Sequence, residues 1–172
     1  IHRRGMTSFL VTNGTMPERL EGILERQIEP TNLYLSVYGP DKQTYERVTH
    51  PSIPDAWKRV TDSLRLMPRF KYSRTIARLT LVKGQNMHKP EQYSKLVMEG
   101  SPSIIELKGY SWLGESKQRL PISAMPYQSE IKEFGKEMAK ATGYELIAED
   151  TVSRVVALAR EGSTTGLSLD AC

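Results

Sequence analysis

Residues 75–87, with the sequence TIARLTLVKGQNM, constrain the fold of this chain more than any other stretch. A run of β-branched and leucine residues reaches Lys83 and then gives way to a polar loop that precedes a helical pattern. A strand of a parallel barrel delivers a functional side chain to the barrel mouth in this way. Residues 104–110 (IIELKGY) repeat the design with Lys108. The two runs therefore predict two parallel strands that each carry a lysine toward the same end of a sheet.

Strand and helix patterns alternate along most of the chain. Besides the two runs above, the predicted strands are residues 7–12, 33–38, 144–147 and 154–158. Pro17, Pro90 and Pro126 stand where helices begin, and Asp41 is suited to cap a short helix. Four successive strand–helix units predict a parallel sheet with right-handed crossovers. The last two runs are too close for a crossover helix, so they are predicted to pair antiparallel.

The length and composition of the chain indicate one domain, and the sequence near its two ends indicates where that domain begins and ends. The 172 residues, with 38% hydrophobic and 26% charged side chains, have an ordinary globular composition. Residues 1–5 resemble the last turn of a helix, so the chain is expected to begin inside an α/β repeat. Residues 1–161 are predicted to form the domain, and residues 162–172 a flexible tail with little to bury.

Composition also limits the classes of function. Cys172 is the single cysteine, so the chain offers no disulfide and no thiolate set for zinc or an iron–sulfur cluster. His2, His50 and His88 are scattered without the spacing of a metal site. No apolar run reaches the roughly 18 residues of a membrane span, and a cytoplasmic setting is the simplest fit. The net charge of +4 is compatible with a nucleic-acid partner but equally with proteins that bind none.

Side-chain alternation predicts that the two faces of the sheet differ. The polar face is expected to hold Tyr34, Ser36, Arg78, Thr80, Glu106 and Lys108. An open doubly wound sheet would cover both faces with apolar helices, so a polar face indicates a lumen that holds a ligand. The predicted fold is a partial (β/α) barrel of parallel strands with a C-terminal antiparallel strand pair. Lys83 is in phase with the apolar side and points inward only if the strand ends or bulges near Val82.

Four segments carry a resemblance to a known family. The runs FLVTNGT, LYLSVYGPD, RLTLVKGQNMH and IELKGY, in this order and spacing, resemble the tRNA 4-demethylwyosine synthases, the radical S-adenosylmethionine enzymes of the wybutosine pathway, in their archaeal form. The likeness covers nearly all of residues 1–161. It implies a radical SAM-type partial barrel in which residues 7–12 are the third strand.

The resemblance also implies a reaction. The family is a lyase-class group that uses S-adenosylmethionine and a 4Fe–4S cluster to condense N1-methylguanosine, next to the anticodon of tRNA-Phe, with pyruvate, forming 4-demethylwyosine. The family's C-x3-C-x2-C loop and its Gly-rich segment are absent from this sequence. The chain is therefore expected to need the missing N-terminal part of the same protein and to be inactive alone. Two alternatives stay open: a non-catalytic split subunit or tRNA-binding module, and a lysine Schiff-base lyase of the aldolase type.

Three residues match positions where this family binds its cosubstrate. Asn13 and Ser36 correspond to contacts with the ribose and methionine parts of S-adenosylmethionine, and Arg78 is suited to pair with its carboxylate. Each has a plainer interpretation. Asn13 is equally suited to an Asn-Gly turn, and Arg78 to a structural ion pair with Glu106 on the adjacent strand.

Four basic residues complete the predicted site. By the resemblance, Lys108 and Lys83 are candidates for holding pyruvate, either as partners of its carboxylate or as Schiff-base formers, unless the family's Schiff-base lysine lies in the missing part. A lysine at a strand end is otherwise an ordinary solvated side chain. Lys117 and Arg119, in the long loop after the second lysine strand, lie on the side where RNA would enter and are predicted to contact phosphates. A solvated loop is the alternative.

Overall fold

The computed structural model describes residues 5–160, and within that range the chain forms five α-helices and one six-stranded sheet. The strands are β1 (Phe9–Thr12), β2 (Asn32–Val37), β3 (Arg74–Leu81), β4 (Ile104–Gly109), β5 (Glu145–Asp150) and β6 (Val155–Ala159). The helices are α1 (Pro17–Glu25), α2 (Lys42–Thr49), α3 (Ala56–Leu66), α4 (Pro90–Gly100) and α5 (Gln128–Thr142). Short 3-10 turns occupy Met67–Arg69, Gly114–Gln118 and Ile122–Ala124. Among the described helices, none combines the length and apolar character needed to cross a membrane. Most of the predicted helical turn at residues 1–5 and the predicted tail at 162–172 lie outside the described residues.

Three helices, α1, α2 and α4, begin at the proline and aspartate residues that the sequence predicts. Pro17 and Pro90 stand at the starts of α1 and α4, where the absent proline N–H leaves no helical hydrogen bond unmade. The Asp41 carboxylate accepts a hydrogen bond from the Thr44 N–H at 2.8 Å and caps α2. These signals are local, which explains why the starts of α1, α2 and α4 can be predicted from the sequence.

The start of α5 differs from the prediction. The helix begins at Gln128 and not at Pro126, because Tyr127 still has extended backbone angles. The Tyr127 N–H donates to the Glu130 carboxylate at 2.8 Å, which satisfies a backbone donor that the helix leaves free. The helix ends as predicted at Gly143, whose φ of 72° is the left-handed conformation that glycine adopts readily.

The sheet combines a parallel part with an antiparallel pair. Its strand order is β1-β2-β3-β4-β6-β5, and β1 to β4 are parallel, as predicted. The two C-terminal strands pair antiparallel, which confirms the second prediction. The sequence did not indicate that β6 would lie between β4 and β5, antiparallel to both. The sheet is open within the described range, and closure into a barrel is not seen.

The two faces of the sheet have the predicted characters. Residues such as Leu33, Leu79 and Leu107 are fully buried in one core, where side chains from all five helices cover one face of the sheet. We call the opposite face, which carries Tyr34, Ser36, Arg78, Thr80, Glu106 and Lys108, the inner face. Its N-terminal half is a small apolar cluster formed by Tyr34, Ile76, Ile104, Ala157 and Ala159. Polar side chains are therefore concentrated toward the carboxyl ends of the parallel strands.

Candidate functional site

A cavity of about 570 Å³ lies at the carboxyl ends of the four parallel strands, and we call it the mouth cleft. Each of these strands contributes to it: Asn13 follows β1, Tyr38 follows β2, Thr80 belongs to β3 and Tyr110 follows β4. Helix α2, the loop that follows it and the loop after β4 supply further walls, which include Tyr45, Val48, His50, Ile53, Arg119 and Leu120. This is the end of a parallel α/β sheet where ligands bind.

Asn86 holds the carboxyl ends of two strands in place. Its side chain is fully buried, and its Nδ2 donates to the carbonyls of Tyr38 and Thr80, both at 2.9 Å. Its Oδ1 accepts the N–H of Val82 at 2.7 Å. A buried amide with all these partners fixes the spacing of β2 and β3 at the cleft floor. Sequence analysis missed this residue, because its position in a polar loop gives no sign that it is buried.

Arg78 and Glu106 form the ion pair that the sequence allowed. The two residues are neighbours in register on β3 and β4, with Arg78 Nε 2.5 Å from Glu106 Oε1. The guanidinium also lies over the ring of Tyr34, 4.5 Å from its centroid. Both side chains are mostly buried on the inner face. The ion pair and the ring orient Arg78, and the cosubstrate role stays a prediction.

Ser36 and Asn13 lie on the same side of the sheet at different depths. Ser36 is buried on β2, beside Arg78 in register and below the mouth cleft. Asn13 lines the cleft, and its Oδ1 accepts hydrogen bonds from the N–H and the hydroxyl of Thr15. The turn role that the sequence suggested for Asn13 is therefore present, and the residue borders the cleft at the same time.

Lys108 is on the inner face, in register with Thr80 of the mouth cleft. Its ammonium makes no salt bridge of 4 Å or less with any carboxylate in residues 5–160. The pKa of the nearby Asp150 carboxyl is lowered, chiefly by a hydrogen bond from Ser153 and to a smaller degree by the Lys108 charge. Gly109 ends the strand close to α5, since a Cβ there would lie 2.8 Å from Ile131 Cδ1. Lys108 is therefore a register neighbour of a residue that lines the cleft, although it does not line the cleft itself.

Lys83 points away from the inner face. The strand β3 ends at Leu81, and the Lys83 ammonium lies 2.5 Å from the Glu130 carboxylate in the first turn of α5. It also lies 5.4 Å from the Tyr127 ring centroid. The hydrogen bond from Lys83, together with the Tyr127 N–H, lowers the pKa of Glu130. The structure therefore separates the two predicted lysines, and Lys83 borders a different surface cavity beside α5.

The loop after β4 carries the two predicted RNA contacts. Hydrogen bonds from Trp112 Nε1 to the Leu120 carbonyl and from the Tyr110 hydroxyl to Ser116, both 2.8 Å, hold the loop together internally. Lys117 is exposed, with its ammonium 4.8 Å above the Trp112 ring, and Arg119 lines the mouth cleft. The loop therefore places one cation at the outer surface and another at the cleft wall.

Two of the three histidines, His50 and His88, lie within the described residues. In the described part of the chain, no group of three or more His, Cys, Asp or Glu side chains is placed to hold a metal ion. His50 lines the mouth cleft, and the His88 ring contacts the Gln85 carbonyl. His2 lies outside the described residues. The tyrosines of the cleft, Tyr38, Tyr45 and Tyr110, were not predicted as site residues, although two of them directly follow strand ends.

Comparison with known proteins relates this chain to one family. The family model for wyosine base formation matches residues 99–160. The S-adenosyl-L-methionine-dependent tRNA 4-demethylwyosine synthase of Pyrococcus horikoshii is 47% identical over 161 residues, which cover 93% of this chain and 47% of that protein. The chain thus spans about half the length of the two Pyrococcus synthases that it matches.

Solved structures agree with the sequence comparison. A structure of TYW1 with a lysine–pyruvate adduct bound has a TM-score of 0.78 and 30% identity, and the match covers 93% of this chain and 49% of that one. Coproporphyrinogen III oxidase (HemN) from Escherichia coli, a radical SAM enzyme, has a TM-score of 0.57 over 86% of this chain and 33% of its own. At 16% identity, that likeness concerns the fold alone. The predicted resemblance is confirmed, and this chain is a relative of the tRNA 4-demethylwyosine synthases that corresponds to their C-terminal portion.

Proposed function

We propose that residues 1–161 are the C-terminal part of an S-adenosylmethionine-dependent tRNA 4-demethylwyosine synthase, with β1 to β4 as the third to sixth strands of a radical SAM-type partial barrel. The observation that carries the proposal is the mouth cleft, which lies at the carboxyl ends of parallel strands beside a polar inner face. Barrel enzymes bind substrates at that end. The 47% identity to the Pyrococcus horikoshii synthase supports the same assignment.

The proposed reaction joins N1-methylguanosine, next to the anticodon of tRNA-Phe, to pyruvate in the cytoplasm. It is a lyase-class reaction in which S-adenosylmethionine and a 4Fe–4S cluster supply the radical chemistry. The sequence has one cysteine, and the described residues hold no metal-binding group. The cluster therefore does not fit this chain, and we assign its ligands to the other half of the protein.

Asn13, Ser36 and Arg78 are the residues we propose for S-adenosylmethionine. Asn13 borders the cleft and Ser36 lies below it, so their short polar groups suit the ribose and methionine parts. Arg78 would bind the cosubstrate's carboxylate without releasing Glu106, because a guanidinium has about five N–H donors and the ion pair uses only its Nε and one Nη2 hydrogen.

Lys108 is the first candidate for holding pyruvate. It stands beside the cleft, and no described carboxylate neutralises it by a salt bridge, so its ammonium is available to the carboxylate of an acid substrate. The related TYW1 structure contains a lysine–pyruvate adduct, which supports a lysine in this chemistry. Lys83 is the second candidate, and it would first have to leave Glu130.

Lys117 and Arg119 are proposed to contact RNA phosphates at the cleft entrance.

The test replaces Lys108 in the full-length protein with alanine and with arginine. Loss of one charge-assisted hydrogen bond to substrate is expected to slow product formation about 10- to 100-fold for Lys108→Ala. Lys108→Arg should recover part of the rate if the residue binds a carboxylate. Mass spectrometry of nucleosides from treated tRNA measures the product. Lys71→Ala, which removes an exposed lysine at the opposite end of the sheet, is the matched control.

Two outcomes distinguish a failure of the proposed function from a failure of the role proposed for Lys108. A wild-type protein with cluster and cosubstrate that makes no 4-demethylwyosine would contradict the function itself. An unchanged rate for Lys108→Ala would contradict only the role of this residue. Borohydride trapping with pyruvate, read by peptide mass, distinguishes a Schiff base at Lys108 or Lys83 from a purely electrostatic role.

A further inference from the structure

A second cavity, beside the mouth cleft, has a strongly basic wall. Its volume is about 280 Å³, and it is lined by Arg47, Val48, His50, Val82, Gln85, Arg119 and Leu120. None of these lining residues is acidic. Five of the seven also line the mouth cleft, so the two cavities are adjacent and share a wall. We call the smaller one the side cavity. A ligand that extends from the cleft would meet this wall next.

Arg47 is held in position but is not neutralised. It lies in the last turn of α2, and its Nη2 donates to the Gln85 carbonyl at 2.6 Å. It makes no ion pair with a carboxylate in the described range. Four other arginines of the described range, Arg59, Arg65, Arg69 and Arg78, are neutralised by salt bridges to Asp or Glu. Arg47 therefore presents an oriented guanidinium with donors still free.

Arg119 reaches the same cavity from a different element. It follows the 3-10 turn Gly114–Gln118 of the loop after β4, and it too lacks a salt bridge to the described carboxylates. Two cations that share one wall repel each other, and a bound anion removes that cost. Guanidinium groups are suited to the oxygens of a phosphate, which they bind in a forked geometry.

We propose that Arg47 and Arg119 form a clamp for one backbone phosphate of the RNA loop, adjacent to the nucleotide that enters the mouth cleft. The inference rests on the proposed function, because RNA is the substrate it invokes. Both arginines are exposed, Arg119 at the wall of the mouth cleft and Arg47 in the side cavity next to it, where a polymer that continues past the reacting nucleotide would place its backbone. Phosphate contacts of this kind position a substrate without reading its sequence. The clamp would fix which nucleotide reaches the cleft.

The test measures binding of a fluorescein-labelled anticodon stem-loop to the full-length protein by anisotropy, at several salt concentrations. Arg47→Ala is expected to weaken binding about 5- to 10-fold and to reduce the salt slope by about 0.7, the value for one phosphate on a single strand. Arg47→Lys should recover part of the affinity. Lys95→Ala removes an equal charge from an exposed position on α4 and should leave both quantities unchanged.

A phosphate scan identifies the contact. Single methylphosphonate replacements in the stem-loop remove one backbone charge at a time. At one position the replacement should weaken binding to the wild-type protein, but it should not further weaken binding to Arg47→Ala or Arg119→Ala, which have already lost that contact. Additive losses at every position, or an unchanged salt slope for Arg47→Ala, would overturn the clamp and leave the proposed function intact. Displacement of the stem-loop by millimolar inorganic phosphate would also overturn it, in favour of a free-anion site. A wild-type protein that binds no stem-loop would overturn both proposals.

Discussion

Asn86 shows how one side chain shapes the whole mouth cleft. It bonds to the backbone of Tyr38, Thr80 and Val82, and all three of those residues line the cleft. Replacement by alanine leaves one buried N–H and two carbonyls without this partner. We expect Asn86→Ala to lower the free energy of unfolding by about 2–4 kcal/mol, because unsatisfied buried polar groups carry their full desolvation cost.

Urea unfolding of the chain measures this loss. Gln92→Ala changes an exposed side chain on α4 and should shift stability by less than about 0.5 kcal/mol. Equal midpoints for the two variants would show that water or a backbone shift satisfies the groups that Asn86 leaves. Such a result would mean that the Asn86 side chain does not set the position of the cleft floor.

The two lysines mark the limit of what side-chain alternation can predict. Lys108 was expected on the inner face and lies there, because β4 continues regularly to Gly109. Lys83 depended on how β3 would end. The strand stops at Leu81, and Lys83 turns toward Glu130 on α5. That partner lies far along the chain, so no local pattern around Lys83 indicates it.

At the scale of elements, the cap of α2 carries a prediction with a defined pH dependence. Partial burial opposes ionisation of Asp41, but hydrogen bonds from Lys89 and Thr44 outweigh it and lower the pKa to about 2. In the unfolded chain the pKa is about 3.9. Because the folded pKa is the lower of the two, the stabilisation is complete above the unfolded value and is lost as pH falls through the folded one.

We expect Asp41→Ala to lower the free energy of unfolding by about 1–2 kcal/mol near neutral pH, as for other helix caps. The difference from wild type should shrink between about pH 4 and pH 2, as the Asp41 carboxyl gains a proton. Urea unfolding at pH 7, 5, 4 and 3 measures it. Asp41→Asn keeps an uncharged cap, so its stability relative to Asp41→Ala should not vary with pH. A constant difference between wild type and Asp41→Ala would contradict the assigned pKa.

The elements that the sequence predicts well are those whose signals are local. The starts of α1 at Pro17 and α4 at Pro90, the Asp41 cap and the alternation in β2 to β4 each depend on a few neighbouring residues, and each is confirmed, whereas the start predicted at Pro126 is wrong. The placement of β6 depends on pairing between β4 and a strand about fifty residues later, which periodicity does not encode. The loop after β4 was predicted to carry two cations on the side where RNA would enter, and one of them, Arg119, borders the cleft.

At the scale of the whole molecule, β1 leaves one edge of the sheet open. Nothing in the described range pairs with its outer side, and Phe9 and Val11 are 54% and 57% exposed on this strand. All five helices pack on the opposite face of the sheet, so the inner face is covered at this edge by no described element. The two Pyrococcus relatives are about twice as long as this chain. The proposed function, in which a further part completes the protein, predicts that this part covers β1 and continues the sheet.

This inference predicts opposite effects of one change in two settings. Val11→Asp puts a charge on an edge strand, which discourages pairing between copies, so the isolated chain should self-associate less in sedimentation experiments. In the full-length protein the same charge would be buried against the next strand, and the free energy of unfolding should fall by about 1–3 kcal/mol. Val152→Asp changes an apolar side chain that is 90% exposed in the turn between β5 and β6, and should have neither effect. If Val11→Asp left the free energy of unfolding of the full-length protein unchanged, the remaining part of that protein would not cover β1, and this edge of the sheet would be exposed to solvent.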